Sequence, residues 1–173
     1  SVLLEQTERL LSNARAENFH KGFISQWMHL DRLDGVGINT KFHLHFTDAY
    51  VHSAKREPVE FFKTLLKENL HANNFIDSDF VTVNGVLAAK YGLHDQYSGN
   101  GFQKVSLSAD SPRGGLMTQA SFLAIGTMGN RTSPVIRGSL VKEILLNDPP
   151  PPPPPNVPEL IASSAEPFPS VRD

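Results

Sequence analysis

EPVEFFKTLLKENL, residues 57–70, decides the fold. Phe61, Phe62, Leu65, Leu66 and Leu70 recur at three- and four-residue spacing, the signature of a helix with one apolar face. The helix begins upstream, with Thr47 as N-cap and Asp48 in the first turn, where a negative charge meets the positive end of the helix dipole. Pro58 interrupts this pattern. A proline inside a helix loses one backbone bond and strikes the preceding turn, at a cost of about 3 kcal/mol, so the sequence predicts a kink or a break near residue 57.

Working outward, the remaining chain is also largely helical. Leu3, Leu4, Thr7, Leu10 and Leu11 predict a helix over residues 2–14 with one apolar face. Phe19, Phe23, Ile24, Trp27 and Leu30 form a stripe that predicts a second helix over 16–31 and places the single tryptophan in the core. DGVGIN, residues 34–39, reads as a loop. A short helix is expected over 79–91, stopped by Gly92. GFQKVSL, residues 101–107, alternates weakly and is the one expected extended segment. A short helix over 115–125 follows. RTSPVIRGSLVKEILL carries the clearest helix start: Ser133 caps and Pro134 takes the first position, where its missing N–H costs nothing. Pro149 ends that helix near Leu146.

The expected fold is therefore mostly α: a compact domain of about five or six helices, with at most a minor β segment. Residues 1–95 and 96–148 are read as two helical regions packed together, and 149–173 as a Pro-rich strap or linker. Seven prolines, Pro149 to Pro155, predict a polyproline II rod of about 20 Å at roughly 3.1 Å per residue. It serves as a stiff spacer, as a strap across the domain, or as a ligand for a partner's aromatic groove. The chain starts at Ser1 inside an apolar-periodic stretch and ends in this tail, which reads as a piece of something longer.

Composition narrows function. A net charge of −2 leaves no basic footprint for nucleic acid. No run of about 20 apolar residues is present to span a bilayer. With no cysteine, the chain offers no disulfide, thiolate nucleophile, cysteine zinc site or covalent haem attachment of its own.

The candidate chemistry is sparse. His43 and His45, with Asp48 and His52 nearby, have a spacing that suits a shared metal, but no HExxH accompanies them; surface or loop histidines are the simpler reading, and no metal site is assigned. DSD, residues 77–79, lacks the rest of a calcium loop, so helix capping by Asp77, Ser78 or Asp79 is expected. No phosphate-loop spacing and no nucleophile elbow occurs, and no catalytic residue is assigned. The most suggestive residues are Arg131, Thr132 and Ser133 at a helix start, Arg137 one turn on, and Arg113 before another helix. Together they are a candidate site for an anion or an acidic partner, against the alternative that Ser133 only caps and the arginines pair internally.

Several segments carry a resemblance. FISQWMHLDRL, EFFKTLLKENL and FIDSDFVTVNGVLAAKYGL resemble a planctomycete-type domain of unknown function, number 1592. The stretch from KVSLSADSPRGG through RTSPVIRG to PPPPPPPNVPEL resembles the domain that follows it, number 1588. Pro58 departs from the pattern, which usually has threonine there. The resemblance implies exported, periplasmic or cell-surface, multidomain proteins in which these domains are fused to cytochrome c-like haem domains. It implies covalent haem c in the parent protein and none in this chain, with the parent's other domains as partners and a CxxCH segment soon after the prolines. The function so implied is a scaffold or accessory domain of an oxidoreductase or electron-transfer protein. The alternative is a partner- or glycan-binding module using the Arg113/Arg131/Arg137 region.

Overall fold

The computed structural model of the chain describes residues 1–38, 43–127, 129 and 132–151. They form six α-helices and one two-stranded antiparallel sheet, so the fold is mostly helical as expected. The order is α1 (Val2–Leu11), α2 (Ala16–Trp27), α3 (Asp48–Lys67), β1 (Phe80–Val83), α4 (Gly85–Tyr91), β2 (Gln103–Ser106), α5 (Ala120–Ile125) and α6 (Pro134–Leu140). A π-helical turn, Val141–Leu145, extends α6, and 3-10 turns cover Leu30–Gly35, Ala72–Phe75 and Leu116–Thr118.

The axis of the molecule is α3, twenty residues capped by the Thr47 side chain, which accepts from the Tyr50 N–H. It runs unbroken through Pro58, so of the kink or break expected there the break does not occur. The reason is burial on both sides of the proline. Tyr50, Ala54, Val59, Phe61, Phe62 and Leu65 are all buried, with the Pro58 ring among them. Each large side chain gains roughly 1.5–3 kcal/mol from leaving water, which together exceeds the ~3 kcal/mol cost of one helical proline. Around α3 pack α2, α4, α5 and β1.

Two further expectations are corrected. Residues 79–91 are not one helix. FVTV pairs as β1 with β2, Phe80 opposite Ser106 and Val83 opposite Gln103, and Asn84 then caps α4. Four aromatic or β-branched residues in a row suit a buried strand better than a helix. Asp77, Ser78 and Asp79 thus precede a strand and cap no helix; the Ser78 hydroxyl donates to the Phe80 carbonyl and accepts from its N–H. In addition, α2 stops at Trp27, short of 31, because His29 takes left-handed backbone angles (φ 50°) and a 3-10 turn follows. The face that α2 buries is His20 and Ile24, continued by Met28 just past its end, which leaves Phe19 and Phe23 exposed. Trp27 is half-buried and donates its indole N–H to the Ile144 carbonyl (2.8 Å), tying α2 to the turn after α6.

The ends of the elements follow local rules. Gly92 stops α4 in a left-handed conformation (φ 73°), as its position predicts. Ser133 caps α6 with Pro134 in the first turn. Strand β2 lies inside the expected extended segment. Helix α1 ends at Leu11, short of 14, and buries no residue at all. Asn39 of the expected loop and the prolines from Pro152 onward lie outside the described residues.

Candidate functional site: a buried carboxylate joint

Glu57 lies on the apolar stripe of α3, between Ala54 one turn before and Phe61 one turn after, and is 1 % exposed. A lone buried charge is costly unless hydrogen-bonded. Three elements supply the partners. From the end of α4, the Tyr91 hydroxyl lies 2.9 Å and 2.8 Å from the two carboxylate oxygens. From the start of α5, the Ala120 N–H donates to Oε2 at 2.9 Å and shares the same Tyr91 oxygen at 2.9 Å. From the loop before the 3-10 turn, the Arg113 guanidinium stacks on the Tyr91 ring, 3.6 Å from its centre.

Each partner is held by its own local structure. α4 is pinned to α3 by Asn84, whose side chain caps Leu87 and donates to the Ser53 hydroxyl at 2.9 Å. The SPRGG segment doubles back because of its glycines. Gly114 (φ 153°) and Gly115 (φ 69°) hold backbone angles that other residues rarely adopt. A Cβ at Gly114 would also sit 2.6 Å from the Ser78 carbonyl oxygen. Thr118 closes the loop, its hydroxyl accepting from the Gly114 N–H (2.9 Å) and its carbonyl accepting from Arg113 Nη1 (2.9 Å).

The electrostatics follow from burial. Loss of water pushes the Glu57 carboxyl up to about 7, against the pull of the Ala120 N–H, the Tyr91 hydroxyl and the Arg113 charge. Burial and the neighbouring carboxylate also push Tyr91 well above its ordinary value. Tyr50, buried on the same helix, is raised by burial and by Glu57, with Arg113 opposing. Chemically this is a carboxylate–phenol pair able to exchange one proton, with the carboxylate shielded from solvent. An open cleft of about 580 Å³ elsewhere on the surface is lined by residues that include Arg32, Val36, Ile125, Thr127, Ile136 and Leu140, with none of the joint residues among its walls.

The residues singled out in the sequence do not all meet. Arg113 is engaged inside the joint, at the start of α5. Arg137 lies at the other end of that helix, where its Cγ faces Gly126 and its Nε is buried without a hydrogen-bond partner. Ser133 spends its hydroxyl on the Ile136 N–H, and Thr132 pairs with Thr127 in an isolated bridge. Arg131 lies outside the described residues. The His43 and His45 rings meet edge to face with centres 6.0 Å apart, and no group of three or more potential metal ligands occurs among the described residues.

Glu57 and Tyr91 were not legible as a pair. One sign was available: a glutamate falling on an otherwise apolar helical stripe is a buried carboxylate in search of donors.

This is a mostly helical protein in which two sequence regions close around one buried carboxylate. The first region matches the family described as PSD4, protein of unknown function (DUF1592), over residues 1–93, more than half of the chain, and the chain belongs to that family. The second matches PSCyt3, protein of unknown function (DUF1588), over residues 113–173. No curated protein and no solved structure matches it. No described helix is long and apolar enough to cross a membrane.

Proposed function

We propose that this chain is a scaffold or accessory unit of an exported, multidomain c-type haem protein with an oxidoreductase or electron-transfer role. The observation that carries the scaffold reading is the closure of the joint. The Glu57 carboxylate is 1 % exposed and has its oxygens occupied by Tyr91 and Ala120. Groups spent on one another in this way hold two segments in a fixed relation and leave none free for a substrate. The haem association is supported by the name of the second family, PSCyt3, and by the resemblance of the two regions to domains fused to cytochrome c-like partners.

In this reading, the helical body sets the position of the Pro-rich segment that begins at Pro149, and that segment leads to a haem-bearing partner domain. The test is an optical spectrum of the exported full-length gene product, oxidised and reduced, with a haem stain after denaturation. Sharp reduced-state bands and a stain that survives denaturation are expected. A colourless, unstained product overturns the haem association.

A further inference from the structure

Glu57 sits where several elements meet. Thr82 of β1 touches its backbone, donating a hydroxyl to the Glu57 carbonyl at 3.3 Å. The titratable or charged groups that face the carboxyl are Tyr50 from α3 itself, Tyr91 from α4 and Arg113 from the 111–115 loop. From β1 and α5 come only uncharged donors, the Thr82 hydroxyl and the Ala120 N–H.

This geometry satisfies both protonation states. When Glu57 is ionised it accepts from Tyr91 and Ala120. When it is protonated it donates to the Tyr91 oxygen, which already accepts from the Ala120 N–H. No hydrogen bond need be lost in either state. The states differ in one net buried charge, and its counter-ion is imperfect: Arg113 is committed to the Thr118 carbonyl and to the Tyr91 ring face.

We propose that Glu57, Tyr91 and Arg113 form a proton-dependent latch that holds residues 111–120 against α3 and α4, tight with Glu57 protonated and loosened when the carboxylate ionises. This stands apart from the haem reading and concerns the 173-residue chain alone. The upward push of Glu57 to about 7 agrees with it. The sign is fixed by linkage. An acid raised above its ordinary 4.5 on folding contributes most below 4.5, and that contribution is lost as pH rises through about 7. Between pH 6 and pH 8 the folding equilibrium constant should fall about tenfold on this account.

The experiment is denaturant unfolding of the full chain from pH 5 to pH 8.5, beside Glu57→Gln, which keeps the shape and cannot ionise. The wild-type chain is expected to lose about tenfold in folding constant between pH 6 and pH 8, a loss missing from the variant. Parallel pH profiles overturn the latch. If Glu57→Gln does not fold, the carboxyl carbon of Glu57 in wild-type protein, followed by NMR with labelled glutamate, decides the matter. A midpoint near neutral supports the latch, and one in the ordinary carboxylate range overturns it. Arg113→Met should move that midpoint upward by removing the one positive charge; an unmoved midpoint overturns the part given to Arg113.

Discussion

Helices α1 and α3 begin from the same kind of pattern and end in opposite environments. In α1, Leu3 is 78 % exposed, Leu4 is 60 % exposed and no residue is buried. In α3, the same periodicity buries Phe61 and Leu65 and carries Glu57 and Pro58 inside with them. Apolar spacing therefore specifies a helix and a face, but not whether that face finds a partner. Ser1 caps α1 at 3.5 Å and the Thr7 hydroxyl bonds back to Leu3. Such local bonds define the helix, though a ten-residue helix without tertiary packing is marginal in water. In α3, packing on several sides overrides even a proline and a carboxylate.

The largest effect is expected at the centre of α3. Phe61 is 1 % exposed and stacks on Phe80, ring centres 5.1 Å apart. Phe61→Ala is expected to cost about 4 kcal/mol, lowering the unfolding midpoint by roughly 10 °C on the scale usual for a chain of this size. A loss below 1 kcal/mol in thermal unfolding would mean that α3 is no more embedded than α1.

An intermediate effect is expected at His20, where α2 meets α3. Its ring is buried beside Phe62, and neither nitrogen has a hydrogen-bond partner. Burial holds its pKa below the ordinary 6.5, with the Glu17 carboxylate opposing. A base lowered on folding contributes stability above its unfolded value, and that stability is lost as pH falls. Replacing an unpartnered buried polar group by an apolar one is close to neutral or stabilising. His20→Leu should therefore stay close to the wild type at pH 8 and be the more stable of the two at pH 5. Urea unfolding at the two pH values checks this, and equal acid sensitivity would remove His20 as its cause. The two expected pH effects thus run in opposite directions: His20 on the acid side, Glu57 as pH rises through neutral.

The smallest effect is expected in α1. Leu3→Ala and Leu4→Ala should each change stability by less than about 0.5 kcal/mol, as exposed substitutions do. Chemical denaturation of the two variants measures it. A cost above 2 kcal/mol would show that α1 packs on the body and would erase the contrast with α3.

Much of this molecule was legible in its sequence, and the legible features share one property: each depends on residues a few positions apart. The caps at Thr47 and Ser133, Pro134 at a helix start and the stop at Gly92 are all settled by neighbours along the chain. What the sequence did not disclose depends on distant partners. Pro58 stays inside α3 because elements from elsewhere bury both its flanks. FVTV becomes a strand because β2 supplies its ladder. Arg113 and Arg137, expected to share one site, are divided because they lie at opposite ends of α5. Glu57 finds Tyr91 34 positions away and the Ala120 amide 63 positions away, distances over which no spacing rule operates. The caps at Thr47 and Ser133 and the stop at Gly92 could be read from the chain alone, since those bonds close within a turn. Only the tertiary structure decided which faces leave water and which charge is carried inside with them, because that balance is struck between surfaces brought together from across the chain.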